Sequence, residues 1–265
     1  LVLHKLSDTH YLLCVNAINR EKDYHWIVAH NRFDASVTHS SDNYTQLALQ
    51  GPRALAILQP LTPVDLSTLR TYRFTFGRVC DVDCLIARTG YTGEDGFELY
   101  FKPAESEKIW NALMDSGKGE GLQPAGLGAR NTLRLEACYA LYGHEIDETT
   151  TLWEAKLDWI CKLDKGDFIG RDALRVQKEK GIERILVGFR MTERGIGRDA
   201  DPVLINGEEC GRVTSGSYAP WLKQNLGLAY VPVAASAPGT TIAIRIRGRA
   251  VAAEIVPIPF YKRPK

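Results

Sequence analysis

Three carboxylates and three glycines stand within nine residues of one another, from Gly90 to Glu98. The stretch reads Arg88-Thr89-Gly90-Tyr91-Thr92-Gly93-Glu94-Asp95-Gly96-Phe97-Glu98-Leu99-Tyr100-Phe101. Glu94 and Asp95 lie in a polar loop, and Glu98 lies on the strand that follows. Phe97, Leu99 and Phe101 alternate with Glu98, Tyr100 and Lys102, the period of a half-buried strand. Glu98 therefore faces the side opposite the phenylalanines, which is either solvent or a cleft. In a cleft, its two oxygens can accept at once from a ring carrying adjacent N–H donors. The plain alternative is a hairpin with a solvated acidic turn. The glycines allow left-handed or close-approach backbone in the loop.

Other chemistries find little in the chain. There is no Gly-x-Ser-x-Gly elbow for a nucleophile, and Ser215 in Thr214-Ser215-Gly216 reads as a turn. The six histidines, His4, His10, His25, His30, His39 and His144, are scattered. Cys80-x-x-x-Cys84 has no second ligand pair nearby, so no metal is expected. Arg194-Gly195-Ile196-Gly197-Arg198 lacks the ordered glycines and lysine–serine pair of a phosphate loop. Arg245, Arg247 and Arg249 read as a solvated strand edge rather than a nucleic-acid surface.

Composition bounds the rest. At 265 residues the chain can hold two domains of ordinary size. It is 45% hydrophobic and 25% charged with a net charge of +1, which gives no whole-molecule field for nucleic acid or a membrane surface. No apolar run approaches the roughly 20 residues that span a bilayer, and no signal-peptide pattern stands at the start. The thiols at Cys14, Cys80, Cys84, Cys138, Cys161 and Cys210 are expected to be reduced, in a bacterial cytoplasm or a mitochondrial matrix.

The elements that must position Glu98 follow from pattern and punctuation. Leu1–Leu6 and Tyr11–Val15 read as strands joined at Ser7-Asp8-Thr9, with Asn16 at the strand end. Asn19 suits the cap of a helix over 20–29, with Trp26 and Ile27 as its apolar side. Thr45–Leu49 is a strand ended by Gln50-Gly51-Pro52, and Pro52 suits the first turn of a short helix over 53–58. Tyr72, Phe74 and Phe76 alternate until Gly77 breaks the run. Ser106 caps a helix over 107–114 with Ile109, Trp110 and Leu113 inward. A helix from about Leu127 to Leu141, closed by Gly143, carries Arg130 and Arg134 on one face. Gln177-Lys178-Glu179-Lys180-Gly181 reads as a charged loop and a domain boundary. Beyond it come only short strands. Asn206-Gly207 is a strong hairpin signal and Gly248 a further turn, which together suggest a small barrel.

Several of these stretches resemble the T-protein of the glycine cleavage system, a folate-dependent aminomethyltransferase. The likeness begins in Arg88–Glu98 and Gln50-Gly51-Pro52. It runs through Gly126–Ala137, Leu141–Glu148 and Asp167-Phe168-Ile169-Gly170-Arg171. It ends in Val213-Thr214-Ser215-Gly216 and Pro259–Arg263. The resemblance implies an α+β fold: ferredoxin-like folate-binding domain(s) with antiparallel sheets over 1–177, then a small C-terminal β-barrel over 178–265. It implies tetrahydrofolate as co-substrate, no metal, and lipoylated H-protein as partner. The reaction would pass the aminomethyl carbon to tetrahydrofolate and release ammonia, giving methylenetetrahydrofolate. Such a transfer needs the folate nitrogen held against the carbon, and a carboxylate to favour an iminium-like species.

By register that carboxylate belongs to an Asp-Asp-Leu motif whose aspartate would precede Leu1. The expectation is that the chain lacks the family's N-terminal segment, contains no catalytic residue of its own, and is inactive as it stands. The folate contacts implied are Asn16, Tyr91, Glu98, Arg130, Tyr139 and Tyr261. His4 stands where the family usually has tyrosine. Two other readings share the fold. One is the folate-binding module of a dimethylglycine or sarcosine demethylase, disfavoured because no dinucleotide-binding glycine motif is present. The other is a non-catalytic folate-binding protein of iron–sulfur cluster assembly, disfavoured because Glu136-Ala137-Cys138-Tyr139 replaces its Lys-Gly-Cys-Tyr. A plain structural domain is the alternative of a different class.

Overall fold

A computed structural model describes residues 1–264. By backbone contacts the described chain divides into two compact units. The first comprises 1–90 with 94–124, and the second 91–93 with 125 onward.

In the first unit, β1 (Val2–Lys5) and β2 (Tyr11–Cys14) form an antiparallel pair. A separate four-stranded antiparallel sheet is built from β3 (Thr45–Gln50), β4 (Phe74–Val79), β5 (Val82–Ala87) and β6 (Gly96–Phe101), in the order β3-β6-β5-β4. One face of this sheet carries Leu49, Ile86, Phe97, Leu99 and Phe101. It packs on Ile57 and Leu58 of α2 (Ala54–Leu58) and on Ile109 and Leu113 of α3 (Ser106–Gly117). The opposite face is covered only in part, with Gln46 and Ala48 of β3 exposed on it and Glu98 half-buried. Leu85, Ala87 and Tyr100 are buried there with Leu6, Leu12, Cys14 and Phe74. Glu98 lies on this face, because its antiparallel partners are Ala48, which is exposed, and Ala87, which is buried.

Four expectations for this unit need correction. Ser106 does not cap α3 but is its first residue, and its hydroxyl donates to Pro103 O. Gly77 does not end its strand but lies within β4, where a side chain would strike Val64. Trp110 is turned outward, 43% exposed, while Ile109 and Leu113 face the core. α1 (Arg20–His30) buries no residue; Trp26 stacks instead on His30, with ring centroids 4.1 Å apart.

The second unit is organised by a closed six-stranded barrel. Its strands are β7 (Arg184–Met191), β8 (Pro202–Ile205), β9 (Glu208–Ala219), β10 (Gln224–Pro232), β11 (Thr241–Ile246) and β12 (Arg249–Val256). They run around the barrel in the order β10-β7-β12-β11-β8-β9. Val187, Phe189, Val213, Ala229, Val231, Ile244 and Ile255 fill the interior. Asn206-Gly207 makes the two-residue hairpin with both φ positive, as the sequence suggests, and Arg247-Gly248 makes another. Ser215 is not in a turn; it is buried inside β9.

Outside the barrel, Leu135 of α4 (Leu127–Glu136) packs with Leu186, Leu228 and Tyr230. α4 stops five residues short of Leu141. Cys138 takes a left-handed conformation (φ 56°), its N–H bonds Leu135 O, and the Tyr139 N–H bonds Arg134 O. That is a Schellman termination, with cysteine where glycine is usual. The segment read as a charged loop is helical as far as Lys180, in α5 (Arg171–Lys180). Antiparallel sheets with helices, followed by a closed barrel, are the architecture the sequence implied.

Candidate functional site

Glu98 sits between Ala48 and Ala87 on neighbouring strands. Two short side chains leave room over the sheet around its carboxyl. Each oxygen is already oriented by one donor: Oε1 accepts from Gln46 Nε2 at 2.6 Å, and Oε2 accepts from the Thr89 hydroxyl. Gln46 Nε2 also donates to Tyr100 Oη at 3.2 Å, and its Oε1 lies 3.5 Å from the Cys14 thiol. His4 is 3% exposed, with its ring edge-on to Phe74 and Tyr100 at 5.3 and 5.4 Å. Burial lowers the His4 pKa against the opposing pull of the Glu98 charge, so the ring is neutral at neutral pH. Burial also raises the Cys14 thiol and the Tyr100 phenol, which keeps both as donors.

The loop before Glu98 is held by structure, not solvent alone. Arg88 forks onto Asp95 at 2.9 and 2.6 Å and donates to Leu69 O, so Asp95 is an ion-pair partner rather than a free acid. Gln50 Nε2 donates to Thr89 O at 3.1 Å. Its side chain occupies the space that a Cβ would need at Gly90 and Gly96. This is the physical reason for glycine at those two positions and for glutamine before Gly51-Pro52.

In the second unit, Tyr91, Arg130 and Tyr139 come together. The Arg130 guanidinium lies 4.3 Å above the Tyr91 ring, and the Tyr91 and Tyr139 rings stack at 5.6 Å. The Tyr91 hydroxyl donates to Ala140 O. Such a cation on a stacked aromatic pair suits a flat ligand with a negative group. Gly93 has φ +78°, and a Cβ there would lie 2.8 Å from that of Ala137, so the approach requires glycine. Tyr261 is placed by its N–H on Glu136 O, and its ring meets Trp221 edge-on at 6.4 Å. Trp221 is 71% exposed, and its N–H bonds the Glu136 carboxyl, which burial pushes up in pKa.

The sequence-predicted residues thus fall into separate groups. Glu98 belongs to the first unit and Tyr91, Arg130, Tyr139 and Tyr261 to the second. Asn16 lies two residues past β2, half-buried, with its carbonyl accepting from the Asn19 N–H; no hydrogen bond ties it to Glu98 among the described residues. Gln46, Thr89 and Trp221 were not anticipated. Thr89 is legible as the residue two past Ala87 on the Glu98 face. Gln46 depends on the β3–β6 register, which no local pattern reveals.

Comparison with known proteins places the chain. The GCVT N-terminal domain model matches residues 1–165, and the glycine cleavage T-protein C-terminal barrel domain model matches 184–262. An aminomethyltransferase of Acidobacterium capsulatum is 53% identical, over all of this chain and 71% of its own length. One from Moorella thermoacetica is 51% identical, over all of this chain and 73% of its own length. Among solved structures, the glycine cleavage system aminomethyltransferase T of Bartonella henselae superposes with a TM-score of 0.86 at 29% identity. That match covers 98% of this chain and 71% of the other. Two family models in order and relatives of this similarity have one meaning: the chain belongs to the aminomethyltransferase family, the T-proteins of the glycine cleavage system.

Proposed function

We propose that this chain binds tetrahydrofolate through Asn16, Tyr91, Glu98, Arg130, Tyr139 and Tyr261, and serves aminomethyl transfer from lipoylated H-protein. The products are methylenetetrahydrofolate and ammonia, in a bacterial cytoplasm or mitochondrial matrix. The observation that carries the reading is Glu98. Its carboxyl lies between two alanines with one donor on each oxygen. A carboxylate has about four lone-pair positions, so one acceptor position remains on each oxygen. That fits a heterocycle presenting two adjacent N–H donors. When bound, tetrahydrofolate supplies the nitrogen that takes the carbon. The chain's own residues hold and orient it, and no metal enters the reading.

Glu98→Ala should weaken tetrahydrofolate binding by about 1–3 kcal/mol, roughly 5- to 150-fold in Kd, because ring donors lose their acceptors. Calorimetric titration of parent and variant checks this, and equal affinities would remove Glu98 from the site.

We further propose the domain division expected at 177/178, which falls in the last turn of α5 beside the segment leading into β7. The end of α5 and the start of β7 are separated by Gly181, Ile182 and Glu183, where the charged, exposed helix end gives way to extended backbone. Limited proteolysis should cut first between Arg175 and Arg184. A first cut within β7 would contradict this boundary.

A further inference from the structure

The Glu98 carboxyl is built into a chain of side-chain donors that the folate reading by itself does not require. Gln46 can point only one way. Its amide nitrogen must face Glu98, since an amide oxygen turned toward an acceptor-only carboxylate would repel it. The other end of that amide meets the Cys14 thiol at 3.5 Å, which supplies the matching donor. Thr89, 7% exposed, holds the second oxygen from the other side. Both oxygens are thus fixed in rotation, and both fixing groups belong to the chain itself, Gln46 on β3 and Thr89 in the loop just past β5.

We propose that Thr89 and Gln46 are positioning residues: they orient the Glu98 carboxylate so that its two remaining acceptor positions meet a paired N–H edge. The inference rests on the folate reading of Glu98. Glutamate left to rotate must be ordered when the ligand arrives, and that cost falls on affinity. A carboxylate already held loses less. The same alignment sharpens selection, because a ligand with only one of the two donors leaves a held oxygen without a partner. The titratable groups facing Glu98 are His4 from β1, Cys14 from β2 and Tyr100 from its own strand.

The test is binding of tetrahydrofolate, and of its analogue lacking the exocyclic 2-amino group, to the 265-residue chain and to variants with unchanged near-ultraviolet circular dichroism. Thr89→Val and Gln46→Leu should each weaken tetrahydrofolate about three- to tenfold. They should also narrow the preference over the analogue. Thr89→Ser, which keeps the hydroxyl, should bind like the parent. Gln46→Glu should bind like the parent at low pH, where the protonated acid donates as the amide does. It should lose affinity as pH rises and two carboxylates face each other. A purely structural role would not produce that pH profile or the narrowed preference. Parent-like binding by both Thr89→Val and Gln46→Leu would overturn the inference, as would equal weakening by Thr89→Ser and Thr89→Val. If the parent fails to bind tetrahydrofolate at all, the folate reading itself falls, a separate and recognisable result.

Discussion

Replacing Arg134 with methionine should lower the stability of the chain by about 3–5 kcal/mol, the cost of leaving one buried charge without its partner. Arg134 and Glu145 are 1% and 0% exposed and lie 2.7 Å apart. Arg134 also donates to Asn131 Oδ1 and to Ser215 Oγ at 2.7 Å. The second carboxyl oxygen of Glu145 accepts from Thr214 Oγ1, and Leu141 N–H donates to the first. The pair joins α4, the turn after it and β9, so its loss is felt in three elements. Combining Arg134→Met with Glu145→Gln should recover part of the loss, because the remaining neutral amide can still hydrogen-bond Thr214. Urea unfolding of the parent, both single variants and the pair checks this. A loss below about 1 kcal/mol for Arg134→Met would show that the charge is relieved in a way the buried geometry does not suggest.

Replacing Arg130 with alanine should, under the proposed folate reading, weaken tetrahydrofolate binding by about 1.5–3 kcal/mol, the worth of a hydrogen bond to a charged group. The Arg130 guanidinium lies 4.3 Å above the Tyr91 ring. Arg130→Lys keeps the charge but loses the flat, stacked fork, and should recover only part of the loss. Calorimetric titration of the parent and both variants checks this, and equal affinities in all three would remove Arg130 from the site.

How far the sequence could be read depended on whether the deciding interaction was local. Alternation around Phe97 located β6 and the face of Glu98, and Asn206-Gly207 located a barrel hairpin, because both signals lie within a few residues. The cover over the Glu98 face was not legible, since it comes from Leu6, Leu12 and Phe74, distant in the chain. The length of α4 was overestimated because the helix stops on Cys138, and a cysteine in a left-handed conformation carries no stop signal of the kind glycine gives. Arg134 and Arg130 looked like a matched pair on one helix face. In the fold one is buried against Glu145 and the other lies over an aromatic ring. Four-residue spacing cannot distinguish those fates, because partners from β9 and from residues 91–93 decide them.

The Gln50 side chain has a genetic consequence. It fills the space beside both Gly90 and Gly96, so the three positions are not free to vary one at a time. Gly96→Ala alone should be damaging, and Gln50→Ala alone should cost the bond to Thr89 O. Together they should cost less than their sum, because the shortened residue 50 vacates the volume that the new methyl needs. Coupling of about 0.5–3 kcal/mol in a double-mutant cycle is the expected size of this epistasis. Variation that reaches alanine at position 96 would then be less costly after a smaller residue has appeared at position 50.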